Sequence, residues 1–174
     1  MKRITLFMVA ALSAAALAAV AQGGTSSAAS ATGSLGARVA LEKTALGRVL
    51  VDARGRTLYL FEKDAHGRSA CYGACAAYWP PLVSAAKPRP GSGVRASLLG
   101  LTKRKDGKRQ VTYAGHPLYT YVGDTKARQT TGEGLTDFGG TWDAVAASGR
   151  SVESASSDSS GSDGGYGGYG GYGH

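Results

Sequence analysis

A tyrosine, a second aromatic residue and an aspartate recur in the same pattern at two places sixty positions apart, and no other feature limits the fold of this chain as much. The first copy is Tyr59-Leu60-Phe61-Glu62-Lys63-Asp64 and the second is Tyr119-Thr120-Tyr121-Val122-Gly123-Asp124. The same offset relates Gly47 to Gly107, Val51 to Val111, Gly55 to Gly115 and Leu58 to Leu118. Farther on it slips by a few residues, with Trp79 answering Trp142. A duplicated unit of this kind builds one supersecondary element per copy, and the copies must pack together to bury their apolar faces.

Each copy reads as β-structure. Val39 and Leu41 alternate with Arg38, Ala40 and Glu42, the period of a half-buried strand. Arg48–Asp52 forms a second strand that turns at Gly55 and returns as Thr57–Phe61. On the return strand Tyr59 and Phe61 point to one face and Leu58 and Leu60 to the other, so apolar cover is needed on both sides. The second copy repeats the scheme with Gln110–Tyr113, a turn at Gly115 and Pro117–Tyr121, preceded by a strand near Leu98–Leu101. Pro117 lacks an N–H and belongs at a strand start or edge. Lys87–Gly93, rich in Pro and Gly, reads as the linker between copies. The Ala-rich centre of Cys71–Tyr78 fits one helical turn stopped before Pro80 and Pro81, and Ala144–Ala146 fits a last strand. The expected fold is all-β: two tandem antiparallel hairpin repeats sharing one core, as a small sandwich or barrel, with a short Cys-containing loop or helical turn. Repeat 1 spans about 38–86 and repeat 2 about 97–147, inside a domain of 37–148.

The flanks differ in composition. Lys2 and Arg3 precede an apolar run from Ile4 to Val20 that ends in the small residues Ala19-Val20-Ala21. Residues 1–21 therefore read as a secretory signal peptide rather than a membrane span. Residues 22–36 form a Ser-, Ala- and Gly-rich linker, and 149–174 a Ser/Gly/Tyr-rich tail whose composition cannot bury enough surface to order itself. The expected address is secreted or cell-envelope associated, with no transmembrane segment in the mature chain; no Cys stands directly after the signal segment, which argues against a lipid anchor. Lys and Arg number 20 against 12 Asp and Glu, and removing the signal segment leaves a net charge of +6. Such an excess outside the cell favours an anionic envelope polymer or membrane surface as partner and disfavours nucleic acid. Oligomeric state and ligand identity are not encoded in any pattern recognised in the chain.

The paired Y-x-[FY]-x-x-D motifs, the run Cys71-Tyr72-Gly73-Ala74-Cys75-Ala76 leading to Trp79-Pro80-Pro81-Leu82, and Gly115-His116-Pro117-Leu118-Tyr119 resemble the bacterial secreted-repeat family of predicted lipoproteins. The resemblance covers about residues 38–147. It implies an exported tandem repeat and no established activity. The chain departs from the lipoprotein members in lacking the lipid-attachment cysteine.

Cys71 and Cys75 are the only thiols. Outside the cytoplasm the first reading is a disulfide that pins the loop carrying Trp79. The alternative is a redox or Cu(I) site, for which His66 or His116 would supply an imidazole. Asp64 and Asp124 occupy equivalent strand ends and are expected to cap turns by accepting backbone N–H groups. Tyr59, Phe61, Tyr119, Tyr121, Trp79 and Trp142 are expected in the core, with sugar stacking as the alternative use of such rings. Lys103, Arg104, Lys105, Lys108 and Arg109 straddle a turn as a solvated basic tip, a candidate anionic-surface site. No nucleophile elbow, phosphate loop or two-His metal helix occurs, so the expectation is a non-enzymatic protein without a cofactor, copper being the alternative.

Overall fold

The computed structural model describes residues 36–152. The signal segment, all of the spacer except Gly36, and the Gly-Gly-Tyr tail lie outside the described residues. Among the described residues there are nine strands: β1 Arg38–Thr44, β2 Gly47–Val51, β3 Tyr59–Phe61, β4 Arg89–Pro90, β5 Leu99–Lys103, β6 Arg109–Tyr113, β7 His116–Pro117, β8 Leu135–Asp137 and β9 Gly140–Ala144. One short helix, α1 (Ala74–Tyr78), forms the expected single turn ahead of the prolines. The strands make three small sheets, ordered β2-β1-β4, β3-β9-β8 and β5-β6-β7, with no closed barrel among them.

The sheets meet where the two copies meet. Tyr59 and Tyr119 form an antiparallel bridge, each N–H donating to the other's carbonyl at 2.9 and 3.0 Å. These residues are equivalent in the duplication, so an approximate two-fold axis passes between them. On its other side Tyr59 pairs with Ala144, beyond Trp142. Tyr119 pairs with Pro81, just beyond Trp79. Each copy thus lends the segment after its tryptophan to the motif strand of the other.

The strand pairing corrects two sequence expectations. The strand returning from Gly55 follows β2 only briefly, through the Val51–Thr57 bridge and the Leu58 N–H to Leu50 O bond, and then leaves the hairpin for β9. The reason is that β3 finds stronger cover between β9 and Tyr119 than a two-stranded hairpin offers. The expected linker at 87–93 also contains a strand: β4 lies parallel on β1, with Arg89 and Gly91 N–H groups donating to Ala37 and Val39 carbonyls. Pro90 is tolerated there because β4 is an edge strand.

Parity on β3 holds as expected, and it splits the core into two clusters. Tyr59 and Phe61 face one that includes Val49, Val51, Trp79, Tyr119, Trp142 and both cysteines. Leu58 and Leu60 face the other, with Val39, Leu50, Leu99, Val111, Tyr113 and Leu118. Both clusters draw on both repeats, so neither copy has a core of its own. At about 1.5–3 kcal/mol per large buried side chain, the shared interior is what holds the duplication together.

Candidate functional site

The motif aspartates reach across the two-fold. Tyr59 donates its hydroxyl to Asp124 Oδ2 at 2.6 Å, and Tyr119 donates to Asp64 Oδ2 at 2.8 Å. The other carboxyl oxygen of each caps the loop that follows: Asp64 Oδ1 accepts from Ala70 N–H at 2.7 Å, and Asp124 Oδ1 from Thr131 N–H at 2.9 Å. Turn capping is therefore half of the role, and cross-repeat pairing of phenol with carboxyl is the other half. The bend that makes this reach available is local, since Asp64 and Asp124 N–H groups donate back to Phe61 and Tyr121 carbonyls. Burial first, and then the facing carboxylate, push both tyrosine phenols well above their ordinary range.

The two ends are not equal. Asp124 is buried, whereas Asp64 is half-buried on the wall of an open hollow of about 430 Å³ that it shares with Glu62, His116 and Ser151. Burial raises the Asp64 carboxyl to about 6 from 3.8, against the opposing bonds from Ala70 and Tyr119 and the charge of Arg104. The folded protein therefore holds a proton that the unfolded chain has lost between about pH 4 and 6, so Asp64 favours the fold at low pH and this contribution disappears as pH rises through that window. After discounting partial exposure the effect is about 1–2 kcal/mol. Urea midpoints of the wild type should gain on those of Asp64→Asn as pH falls from neutrality to about 4. Parallel pH curves for the two proteins would contradict this.

Beside the phenol pairs the aromatic residues form one column. Phe61 stacks on Trp142 (4.0 Å between centroids, 6° between planes), Trp142 on Trp79 (4.0 Å, 3°), and Trp79 on Tyr121 (4.3 Å, 28°). Tyr59 and Tyr119 meet Trp79 and Trp142 edge-on at 5.4 and 5.1 Å. The column follows from register, since Phe61 and Trp142 lie directly opposite on β3 and β9. Gly132 closes over it: a Cβ there would stand 2.8 Å from the Trp79 ring and 3.0 Å from Tyr59. Tyr59, Tyr119, Trp79 and Trp142 are fully buried, so their faces cover one another and none is open to a sugar. The duplicated spacing signalled that both tryptophans matter; nothing in it signalled that they touch.

Cys71 and Cys75 are joined in a disulfide with Cα atoms 5.3 Å apart, tying the segment before α1 to its first turn inside the same cluster. So short a loop gains about 2 kcal/mol from closure, and its effect is local: Trp79 N–H donates to Cys75 O at 2.8 Å, placing the indole at the column. His66 and His116 are exposed. Among the described residues no group of three or more His, Cys, Asp or Glu is placed to hold a metal ion.

The basic run is divided by burial. Arg104, expected at the solvated tip, is turned inward and only 3% exposed. Its guanidinium donates to Gln110 Oε1 at 2.6 Å, to Ser69 Oγ at 2.8 Å and to Cys71 O at 2.8 Å, and lies 4.4 Å from the Tyr72 ring centre. It ties the β5–β6 hairpin to the cysteine loop and is withdrawn from any surface site. Lys103, Lys105, Lys108 and Arg109 remain exposed. Sequence reasoning also missed Tyr78 and Phe138, exposed aromatics 6.0 Å apart near the end of α1 and the β8–β9 turn.

A family described as a secreted repeat of unknown function matches twice, at residues 40–83 and 100–146, just over half of the chain. The chain belongs to this secreted-repeat family. Each match contains one tryptophan, and the second starts within the strand β5 that opens the second copy. No curated protein and no solved structure matches the chain. Among the described residues of this secreted-repeat protein, no helix is long and apolar enough to cross a membrane.

Proposed function

We propose that this secreted-repeat protein is a non-enzymatic envelope module that binds an anionic surface polymer through the tip of the β5–β6 hairpin. The observation behind the reading is the register: Lys103 and Arg109 stand directly opposite each other, with Lys105 and Lys108 in the connecting turn. Like charges opposed on a ladder destabilise it, by about a few tenths of a kcal/mol or more. The one acid in the turn, Asp106, is engaged by Arg104 Nε at 3.3 Å and by the Lys108 N–H at 3.1 Å. Four exposed cations held this close cost the fold some stability and serve a polyanion.

Replacing Lys103, Lys105, Lys108 and Arg109 together by serine, with Arg104 kept, should weaken binding to isolated envelope material by ~10-fold or more at low salt and leave the melting temperature unchanged or higher. Wild-type binding should itself weaken with added salt. Full retention of binding by the four-site variant, or binding indifferent to salt, would sink the reading.

A further inference from the structure

Packing alone explains neither the proton partners of the aromatic column nor its unequal ends. Both tryptophans of the chain are in it, nearly parallel with ring centres 4.0 Å apart, close enough for their π systems to overlap. Trp79 Nε1 is buried and finds no acceptor among the described residues, so this indole keeps its proton if it loses an electron. Each tryptophan is met edge-on by a tyrosine whose hydroxyl already donates to a carboxyl group, at 2.6 Å for Tyr59 to Asp124 and 2.8 Å for Tyr119 to Asp64. Phe61, at one end of the column, lies on the wall of the hollow beside Asp64 but is only 2% exposed, and Tyr121 at the other end is half-exposed.

A phenol bonded to a carboxylate can give up electron and proton together. The electron leaves for a neighbouring oxidised ring, the O–H bond breaks, and the proton travels the length of the existing hydrogen bond to the base. The products are a neutral phenoxyl radical and a carboxylic acid, so no net charge is created in the low-dielectric interior. Burial strengthens Asp64 as a base, which favours this transfer from Tyr119.

We propose that the column is a relay for oxidising equivalents: a one-electron oxidant of the oxygen-radical or metal-complex class, arriving at Tyr121, withdraws an electron from the Trp79–Trp142 pair, and Tyr59 or Tyr119 refills it while passing its proton to Asp124 or Asp64. Each event reduces the oxidant by one electron and stores one phenoxyl radical in the interior. The relay is independent of anion binding at the hairpin tip.

Flash photolysis of a ruthenium polypyridyl complex with a sacrificial electron acceptor, in the presence of the full chain at neutral pH, tests it. Wild type should show an indole radical, assigned to the column because it holds every tryptophan, that converts to a phenoxyl radical. In the Asp64→Asn, Asp124→Asn chain the phenols keep a hydrogen-bond partner of equal size but lose their base, and the indole radical should live ~10–100-fold longer. In the Tyr59→Phe, Tyr119→Phe chain most of the phenoxyl signal should disappear. Near-UV circular dichroism selects folded variants, and the asparagine pair carries the test where the phenylalanine pair does not fold. No indole radical in the wild type, an unchanged indole lifetime in a folded asparagine variant, or an undiminished phenoxyl signal in a folded phenylalanine variant would overturn the proposal.

Discussion

Tyr59→Ala should destabilise the domain by about 5 kcal/mol and Tyr119→Ala by about 4 kcal/mol, although the two residues are equivalent in the duplication. Truncating a large buried aromatic costs about 3–5 kcal/mol in lost burial and residual cavity. The remainder comes from the acceptor left behind, about 1–3 kcal/mol when it is buried. Asp124, which loses Tyr59, is only 4% exposed, while Asp64, which loses Tyr119, borders the open hollow and can turn to water. The phenylalanine variants isolate the hydroxyl. Tyr59→Phe should cost about 1.5–3 kcal/mol and Tyr119→Phe less. A double-mutant cycle between Tyr59→Phe and Asp124→Asn should return a coupling of about 1–2 kcal/mol. Urea unfolding measures all of these. Additive effects at Tyr59 and Asp124 would mean that the bond across the two-fold contributes nothing.

What the sequence made legible was local. The alternation on Thr57–Phe61 identified a strand covered on both faces, and the two clusters divide Leu58 and Leu60 from Tyr59 and Phe61 on that basis. The helical turn before Pro80, the strand opening the second copy and the position of Pro117 at an edge follow from φ restriction, period and the missing proline N–H. The partner of β3 was not legible, because Tyr59–Phe61 pairs with Trp142–Ala144, some eighty residues away, and no local pattern records a non-local ladder. Asp64 escaped the parity argument because parity lapses where the chain turns, and the turn closed on Phe61 O swings its carboxyl toward Tyr119. Arg104 looked like its neighbours in a basic run; its burial is dictated by Ser69 and Cys71 in a loop of the other copy and by Gln110 on the next strand. At each of these places the determining contact lies in the opposite repeat or across a hairpin. The duplication was visible as a period, and the exchange of segments between its halves was not.

The exchange makes the tryptophans the second large effect, and it predicts that they differ. Trp142→Ala should cost about 5 kcal/mol, because the ring is held between Phe61 and Trp79 at 4.0 Å on both sides and stacking adds about 0.5–1.5 kcal/mol to the loss of burial. A loss of this size is a third or more of the about 5–15 kcal/mol that holds a typical domain, enough to unfold one at the low end of that range. Phenylalanine in its place keeps a ring in the column but removes the Nε1 donor to Asp137 O at 3.3 Å, a bond that helps close the β8–β9 hairpin. Trp79→Phe removes an N–H that has no partner among the described residues, so nothing polar is lost with it. Trp142→Phe should therefore be more destabilising than Trp79→Phe by about 1 kcal/mol. The β8–β9 amides should exchange faster in the former alone, as hydrogen exchange followed by NMR would show. Equal losses at both positions, with β8–β9 equally protected, would mean that the column is held by burial alone and that the Trp142 indole contributes no bond to the hairpin.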